Sequence, residues 1–420
     1  MSDQLHKKFS SVQVKSLIES YIRKEIELSY ILAILGIGRS RFFEILKNYR
    51  QNPSTFSIEY ARNKTNNKIA SEVEDDILAE LYVEKKLIED PSNPIKYYNY
   101  SYIKDRLLSR YGHRVSLPTI IDRAKKYGFY DKTKKKKSHD REVLTNYAGE
   151  LLQHDSSHHR WSPYAEDKWY LITTLDDYSR KILYGDFLEA ESSWVHIEAA
   201  EATILKYGIP FSYYVDCHSI FRFVQGRDSF WRKHIKVTDE ADPQFKQVLD
   251  ELQIKLIYAL SAQAKGKIER PYRWLQDRIV RTCAREGIKD ISDARKVLDT
   301  ELKRYNSYQV HSTTGEIPDI RFYRAIDEKR SLFREFMIPS PFESTKDIFA
   351  LRDDRVVNAY RKISINRLKL SVSGVPLRER VYLRIVPDKK SGLAEIRFWY
   401  DKKLVGIAKV KNEDLNIANF

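Results

Sequence analysis

Cysteine is nearly missing from this chain: its 420 residues include only Cys217 and Cys283. Two thiols cannot build a disulfide framework, and they suit a reducing cytosol. Long apolar runs are missing as well, since none reaches the roughly 18 residues that a membrane span requires. The opening "MSDQLHKKFSSV" lacks the apolar core of a signal peptide. No internal repeat or low-complexity tract stands out. A soluble cytoplasmic protein with no membrane partner is expected, and one that binds DNA would be nucleoid-associated.

What is present is aromatic and basic. The chain is 42% hydrophobic with 28 Tyr and 18 Phe, enough for folded domains rather than disorder. Its length exceeds one ordinary core, so several domains are expected. The formal net charge of +15 favours an anionic partner such as nucleic acid. That charge is uneven. Residues 1–140 carry +9 and residues 345–420 carry +8, while residues 141–344 carry −2. The ends are basic and the middle is not.

Along the chain, apolar residues first recur at helical spacing. "ELSYILAILGIGRSRFFEILKNYR" reads as helix, turn and helix, with the turn at Gly36-Ile37-Gly38 and Ser40 as the expected N-cap. Arg39, Arg41 and Lys47 decorate the second helix, which has the pattern of a DNA-reading helix. This gives a helix-turn-helix domain over 1–55. A linker follows, then three more helices over 68–130, where Gly112 ends one and Ser116 with Pro118 opens the next. They form a second helix-turn-helix or winged-helix-like candidate, with Arg123 and Lys126 near its reading face. Residues 131–144 are a basic linker.

From residue 145 the period changes to that of strands. Three strands, a helix, a strand, a helix, a strand and a long helix follow, an α/β layer in the order βββαβαβα over 145–330. Beyond 345 five short strands suggest a small β-barrel, which its charge equips for DNA binding or assembly. The expected class is a multidomain α+β protein: helix-turn-helix modules, an α/β core and a C-terminal barrel.

Three carboxylates occupy telling places in the core. Asp155 lies inside the first strand, in "LLQHDSSHH". Asp216 ends the fourth, in "YYVDCHS". Glu269 sits in the first turn of the helix that begins "AKGKIERPYRW". A charge inside an apolar strand is costly unless it is paired or holds a metal. Three carboxylates without a soft ligand suit two Mg²⁺ or Mn²⁺ ions, which can activate a water or 3′-hydroxyl and steady the leaving oxygen of a phosphodiester. Lys265, Lys267, Arg270 and Arg273 surround Glu269 and would hold phosphates. A plainer reading remains for Glu269, because a carboxylate near a helix N-terminus gains a few tenths of a kcal/mol from the dipole. His154, His158 and His159 crowd Asp155, but strand alternation and the lack of a Cys pair make them neighbours rather than zinc ligands. Asp176 and Asp177 read as turn residues.

These motifs resemble the catalytic core of the DDE transposase and retroviral integrase superfamily. "LLQHDSS" is similar to its first Asp strand, "VDCHS" to its second Asp, and "AKGKIERPYRWLQ" to its catalytic Glu and following helix. "YNSYQVHSTTGEIPDIRF" resembles the segment that closes integrase-like domains in bacterial insertion elements. Within the superfamily the likeness is to ISNCY-type insertion-sequence transposases. It implies an RNase H-like fold, with Asp155, Asp216 and Glu269 as catalytic metal ligands. It also implies strand cleavage and strand transfer on terminal inverted repeats and target DNA, in a homodimer or larger synaptic complex. Two departures stand out. Cys217-His218 follows the second Asp where a small pair is common, and the interval from Asp216 to Glu269 is long. Glu251 falls near the shorter spacing and is the rival third carboxylate. Two other functions stay open: a sequence-specific DNA-binding regulator with an inactive core, and an RNase H-like nuclease.

Overall fold

The computed structural model describes residues 5–59, 69–131, 145–216, 243–259, 266–366 and 368–415, without side chains for 266–270. The chain divides into two compact units, residues 1–74 and 75–420. Among the described residues no helix is long and apolar enough to cross a membrane.

In the first unit, α1 (Ser11–Ile22), α2 (Leu28–Leu35) and α3 (Arg39–Gln51) enclose a small core that includes Val14, Ile18, Ile31, Phe42 and Leu46. Ser10 and Gln13 form a reciprocal capping box that starts α1. Gly36 ends α2 in the left-handed region, φ 65°, which glycine adopts without steric cost. Gly38, not Ser40, is the N-cap of α3. The helix therefore starts two residues earlier than Ser40 would dictate, and no side chain caps it.

α4 (Ser71–Glu89) begins just before the second unit, which continues with α5 (Tyr100–Tyr111) and α6 (Leu117–Lys126). Gly112 ends α5 at φ 74°, and Ser116 caps α6 by accepting the Thr119 N–H at 3.3 Å, as the sequence predicts. The core then follows with β1 (Leu152–His159), β2 (Trp169–Asp176), β3 (Ile182–Leu188), α7 (Ser193–Tyr207), β4 (Ser212–Val215), α8 (Gln244–Glu251), β5 (Lys255–Tyr258) and α9 (Gly266–Glu286). The strands form one sheet in the order β3-β2-β1-β4-β5. β1, β2 and β3 are antiparallel, whereas β1, β4 and β5 run parallel. The element order and the adjacency of β1 and β4 follow the sequence expectation.

Strand alternation gives the sheet two apolar faces. Leu152, Tyr213 and Val215 pack with Ile197 of α7 and Phe245 of α8. Leu171, Leu175 and Phe187 pack on the other side with Leu275 and Ile279 of α9 and Leu298 of α10 (Ile291–Ser307). Both layers are anchored by full burial, worth about 1.5–3 kcal/mol for each large apolar side chain.

On α9, Arg278, Arg281 and Arg285 recur at three- and four-residue steps and share a face. Arg281 pairs with Glu84 of α4, both fully buried, and with Asp277 at 2.8 Å. Arg285 meets Glu84 at 2.7 Å and also Glu80. Arg278 bonds Glu301 of α10 at 2.8 Å and also Asp105 of α5. The helices of 75–131 are thus docked on the core through buried charge pairs. Arg281→Ala takes from the fully buried Glu84 one of its two arginine partners, with Arg285 remaining at 2.7 Å, so we expect a loss of about 2–3 kcal/mol in urea denaturation. A loss in the single variant smaller than about 1 kcal/mol, the scale of an exposed pair, would contradict this docking.

α11 (Pro318–Asp327) and α12 (Thr345–Ile348) lead to the C-terminal strands. Among the described residues these number six: β6 (Leu351–Val356), β7 (Lys362–Ile365), β8 (Leu368–Ser371), β9 (Arg380–Asp388), β10 (Leu393–Tyr400) and β11 (Lys403–Lys411). They form a four-stranded sheet, β11-β10-β9-β6, and a separate β7-β8 hairpin. Among the described residues no closed barrel is present, which corrects the expectation of one. The stretch "RVVNAYRKISIN" reads as a single strand but contains a turn. Asn358 Oδ1 accepts the N–H groups of Tyr360 and Lys362, each at 2.9 Å, and Arg361 takes φ 55°. That break sends β7 into its own hairpin.

Candidate active site

The parallel register between β1 and β4 pairs Leu152 with Tyr213 and Gln153 with Tyr214. Two residues further along each strand are Asp155 and Asp216. Asp216 is the residue just past β4, so both aspartates follow the paired stretch toward the same end of neighbouring strands. Gln153 and Asp155 share one face of β1, opposite to His154. Both aspartates are partly buried.

α9 touches the sheet at this point. The Tyr272 hydroxyl donates to the Asp155 carbonyl at 2.7 Å and accepts from Thr173 Oγ1 at 2.9 Å. Thr173 is the residue opposite Asp155 in the β1–β2 pairing, so one phenol spans the two strands. Burial drives the Tyr272 hydroxyl well above its ordinary pKa, and the negative charges of Asp155, Glu191 and Asp216 add to that push. The phenol stays a neutral donor. Glu269 lies in the first turn of α9, three residues before Tyr272 and so about one turn away on the same side of the helix.

Oxygen donors on adjacent strands suit a hard divalent cation, and among the described residues no thiol lies beside them. Among the described residues no group of three His, Cys, Asp or Glu stands close enough to hold a metal ion. The Glu269 side chain lies outside the described residues, as do those of Lys267 and Arg270 and the whole of Lys265. Arg273 is described and exposed. It borders a cleft of about 210 Å³ together with Tyr97, His159 and Gln276.

The rival carboxylate has another occupation. Glu251 is the last residue of α8, where it bonds Arg384 at 2.7 Å and also Arg352, both from the C-terminal sheet. Glu251→Gln should lower stability by ~2 kcal/mol, as expected for a partly buried charge left without its partner, and leave DNA chemistry intact. Thermal unfolding and a cleavage assay on the same preparation check both parts.

Other candidates separate clearly. His154 is buried on the α7–α8 face and stacks on Phe245 at 5.3 Å. His158 is exposed and stacks on Tyr170 at 4.1 Å. His159 is partly buried beside Trp161, and burial lowers its pKa. Asp176 and Asp177 are fully buried turn residues. Asp176 accepts from the N–H groups of Gly149 and Ser179, both at 2.9 Å, and burial pushes its pKa up to about 6. Asp177 accepts from Arg180 at 2.9 Å and Thr145 at 2.8 Å. Among the basic candidates, Arg39, Arg41 and Lys47 are exposed on α3, and Arg41 pairs with Glu44 at 2.5 Å. On α6, Lys126 is exposed and Arg123 is half-buried beside Asp122 at 2.8 Å.

Two curated proteins are similar to the chain. y4bF of Sinorhizobium fredii, which is named as a transposase, is 31% identical over 222 residues, covering 53% of this chain and 44% of its own length. The chain is similar to transposases. The transposase for insertion sequence IS1202 of Streptococcus pneumoniae is 28% identical over 171 residues, 41% of this chain and 35% of its own length. The chain thus spans less than half the length of either transposase it matches. No protein-family model matches it. Among solved structures, the BIV integrase catalytic core domain aligns with 43% of this chain and 98% of its own, at 15% identity and a TM-score of 0.31. The HTLV-2 integrase catalytic core domain, solved in complex with magnesium, aligns with 43% and 99%, at 18% identity and a TM-score of 0.29.

Tyr272 and the arginine face of α9 escape a reading of the sequence. A signal for Tyr272 does exist: in "IERPYRW" an aromatic hydroxyl follows Glu269 by one helical turn. The partners of these arginines on α4 and α5 are distant in the sequence, 197 residues for Glu84 from Arg281, and no local pattern pairs them.

Proposed function

We propose that the chain is a DDE-type DNA transposase that binds the terminal inverted repeats of its element and catalyses strand cleavage and strand transfer. The observation that supports this is the β1–β4 register, after which Asp155 and Asp216 follow toward the same end of neighbouring strands, with α9, the helix that bears Glu269, bonded to the Asp155 carbonyl through Tyr272. The kinship with insertion-sequence transposases supports it. In this reading Asp155, Asp216 and Glu269 hold two Mg²⁺ or Mn²⁺ ions. When bound, such ions supply activation of a water or 3′-hydroxyl and neutralisation of charge at the phosphate.

The protein's own part is to fix the donors and the DNA. Tyr272 ties α9 to the carbonyl of Asp155, so the helix that carries Glu269 is registered against β1. Lys265, Lys267, Arg270 and Arg273 hold the backbone flanking the scissile bond. Arg39, Arg41, Lys47, Arg123 and Lys126 contact DNA away from the reacting phosphate. The C-terminal sheet adds basic surface for DNA or for assembly, and joining two ends requires a dimer or a larger complex.

The test is a duplex bearing the inverted repeats that flank the gene, labelled on each strand in turn. The purified chain should nick it at the element end in Mg²⁺ and not in EDTA. Metal-dependent hydrolysis without preference for the end would favour an RNase H-like nuclease. Tight binding without cleavage would favour a regulator.

A further inference from the structure

We infer that Glu191 and His196 are positioning residues for Asp155, gripping its strand from the side of the sheet opposite α9; this rests on the reading of Asp155 as a metal ligand. The residues flanking Asp155 in β1 are His154 and Ser156, and alternation turns both away from α9. Ser156 Oγ donates to Glu191 Oε1. His196, in the first turn of α7, places Nε2 at 3.0 Å from the same Glu191 oxygen and Nδ1 at 2.8 Å from His154 Nε2. His154 Nδ1 lies 2.9 Å from Thr174 Oγ1, and Thr174 is its partner across the β1–β2 register.

The proton order follows from the end of this chain. A carboxylate only accepts, so His196 Nε2 carries a proton and donates it to Glu191. Its Nδ1 then accepts from His154 Nε2–H, and His154 Nδ1 accepts from the Thr174 hydroxyl. Read from Glu191, every bond of this chain then points the same way. Glu191 therefore holds both neighbours of Asp155, Ser156 directly and His154 through His196. His154, Thr174 and His196 are fully buried. Cutting the chain leaves a polar group unsatisfied in the interior, which forces the strand to shift or water to enter. Either change re-aims Asp155.

The test is Mn²⁺ binding to the full-length chain by calorimetry, with melting temperature measured on the same samples. Loss of a partner behind a metal ligand lowers metal affinity by ~10–100-fold. We expect Glu191→Ala and His196→Ala each to weaken Mn²⁺ binding at least ~10-fold, while Glu191→Gln, which keeps an acceptor oxygen in place, stays within about threefold of wild type. Where an alanine variant does not fold, Ser156→Ala removes one hydroxyl and should weaken binding in the same direction. Unchanged affinity with only a lowered melting temperature overturns the inference. So does an equal loss in Glu191→Gln and Glu191→Ala, because Glu191 would then be a ligand itself. Asp155→Asn in the same titration separates the two levels. If Asp155→Asn binds Mn²⁺ as wild type does, the metal-site reading falls and this inference with it. If Asp155→Asn loses the ion while Glu191→Ala and His196→Ala do not, only the inference falls.

Discussion

Asp155→Asn and Asp216→Asn should each lower strand cleavage and strand transfer by ~10³-fold or more while leaving end binding nearly unchanged. The size follows from the role. A bound ion contributes several kcal/mol at the reacting phosphate, and ~4 kcal/mol is a thousandfold in rate. Sparing of affinity follows from the charge map, because the excess cations lie in residues 1–140 and 345–420 rather than in the −2 core. Glu269→Gln should behave like the two aspartate variants. The dipole-only reading makes a different forecast for it: normal strand transfer and a stability change of a few tenths of a kcal/mol. Gel-shift affinity, strand transfer and melting temperature, all measured on each variant, distinguish the two.

End binding by the full chain should weaken by ~10³ between 50 and 200 mM salt, as about six phosphate contacts would require through counterion release. Two reading helices in tandem should protect about two turns of duplex. The basis is the +9 charge of residues 1–140 together with the exposed Arg39, Arg41 and Lys47 of α3. The fold dictates which protein to use. A fragment ending near residue 140 would strip Glu80 and Glu84 of Arg281 and Arg285, leaving carboxylates that are buried in the whole chain without their partners. The full-length chain is the appropriate sample, and a fragment that binds poorly would report on that exposed network. A salt response near zero, or protection confined to half a turn, would remove one or both helical modules from DNA recognition.

The α/β core was legible in the sequence because its signals are local. β-branched and aromatic runs between turn residues mark β1 to β5, and the change of period marks α7, α8 and α9. Charged residues inside apolar strands marked Asp155 and Asp216 for the same reason: an isolated carboxylate there is costly. The C-terminal strands were legible one by one, but not their closure. Whether a sheet curls into a barrel depends on long-range pairing, and the Asn358–Arg361 turn diverts β7 and β8 from that pairing. The N-cap of α3 was misread because Ser is the better capping residue by side chain, whereas Gly38 already has the extended backbone that a cap position needs. Glu251 illustrates the limit of spacing. Its interval from Asp216 fits a third carboxylate, yet Arg352 and Arg384 arrive from more than 100 residues downstream to bind it. The clamp on Asp155 was invisible for a similar reason. His154 and His196 lie on separate elements, and only the fold makes them one hydrogen-bonded chain.

The most direct measurement is the joining of a labelled terminal-repeat 3′ end to plasmid DNA by the purified full-length chain. It should be run in Mg²⁺ and in EDTA with wild type, Asp155→Asn, Glu269→Gln and Glu251→Gln side by side. Joined product is expected for wild type and Glu251→Gln in Mg²⁺, and for neither in EDTA. Asp155→Asn and Glu269→Gln should give none. Joining that survives EDTA or Asp155→Asn, or that is lost in Glu251→Gln and kept in Glu269→Gln, would contradict the assignment of this site.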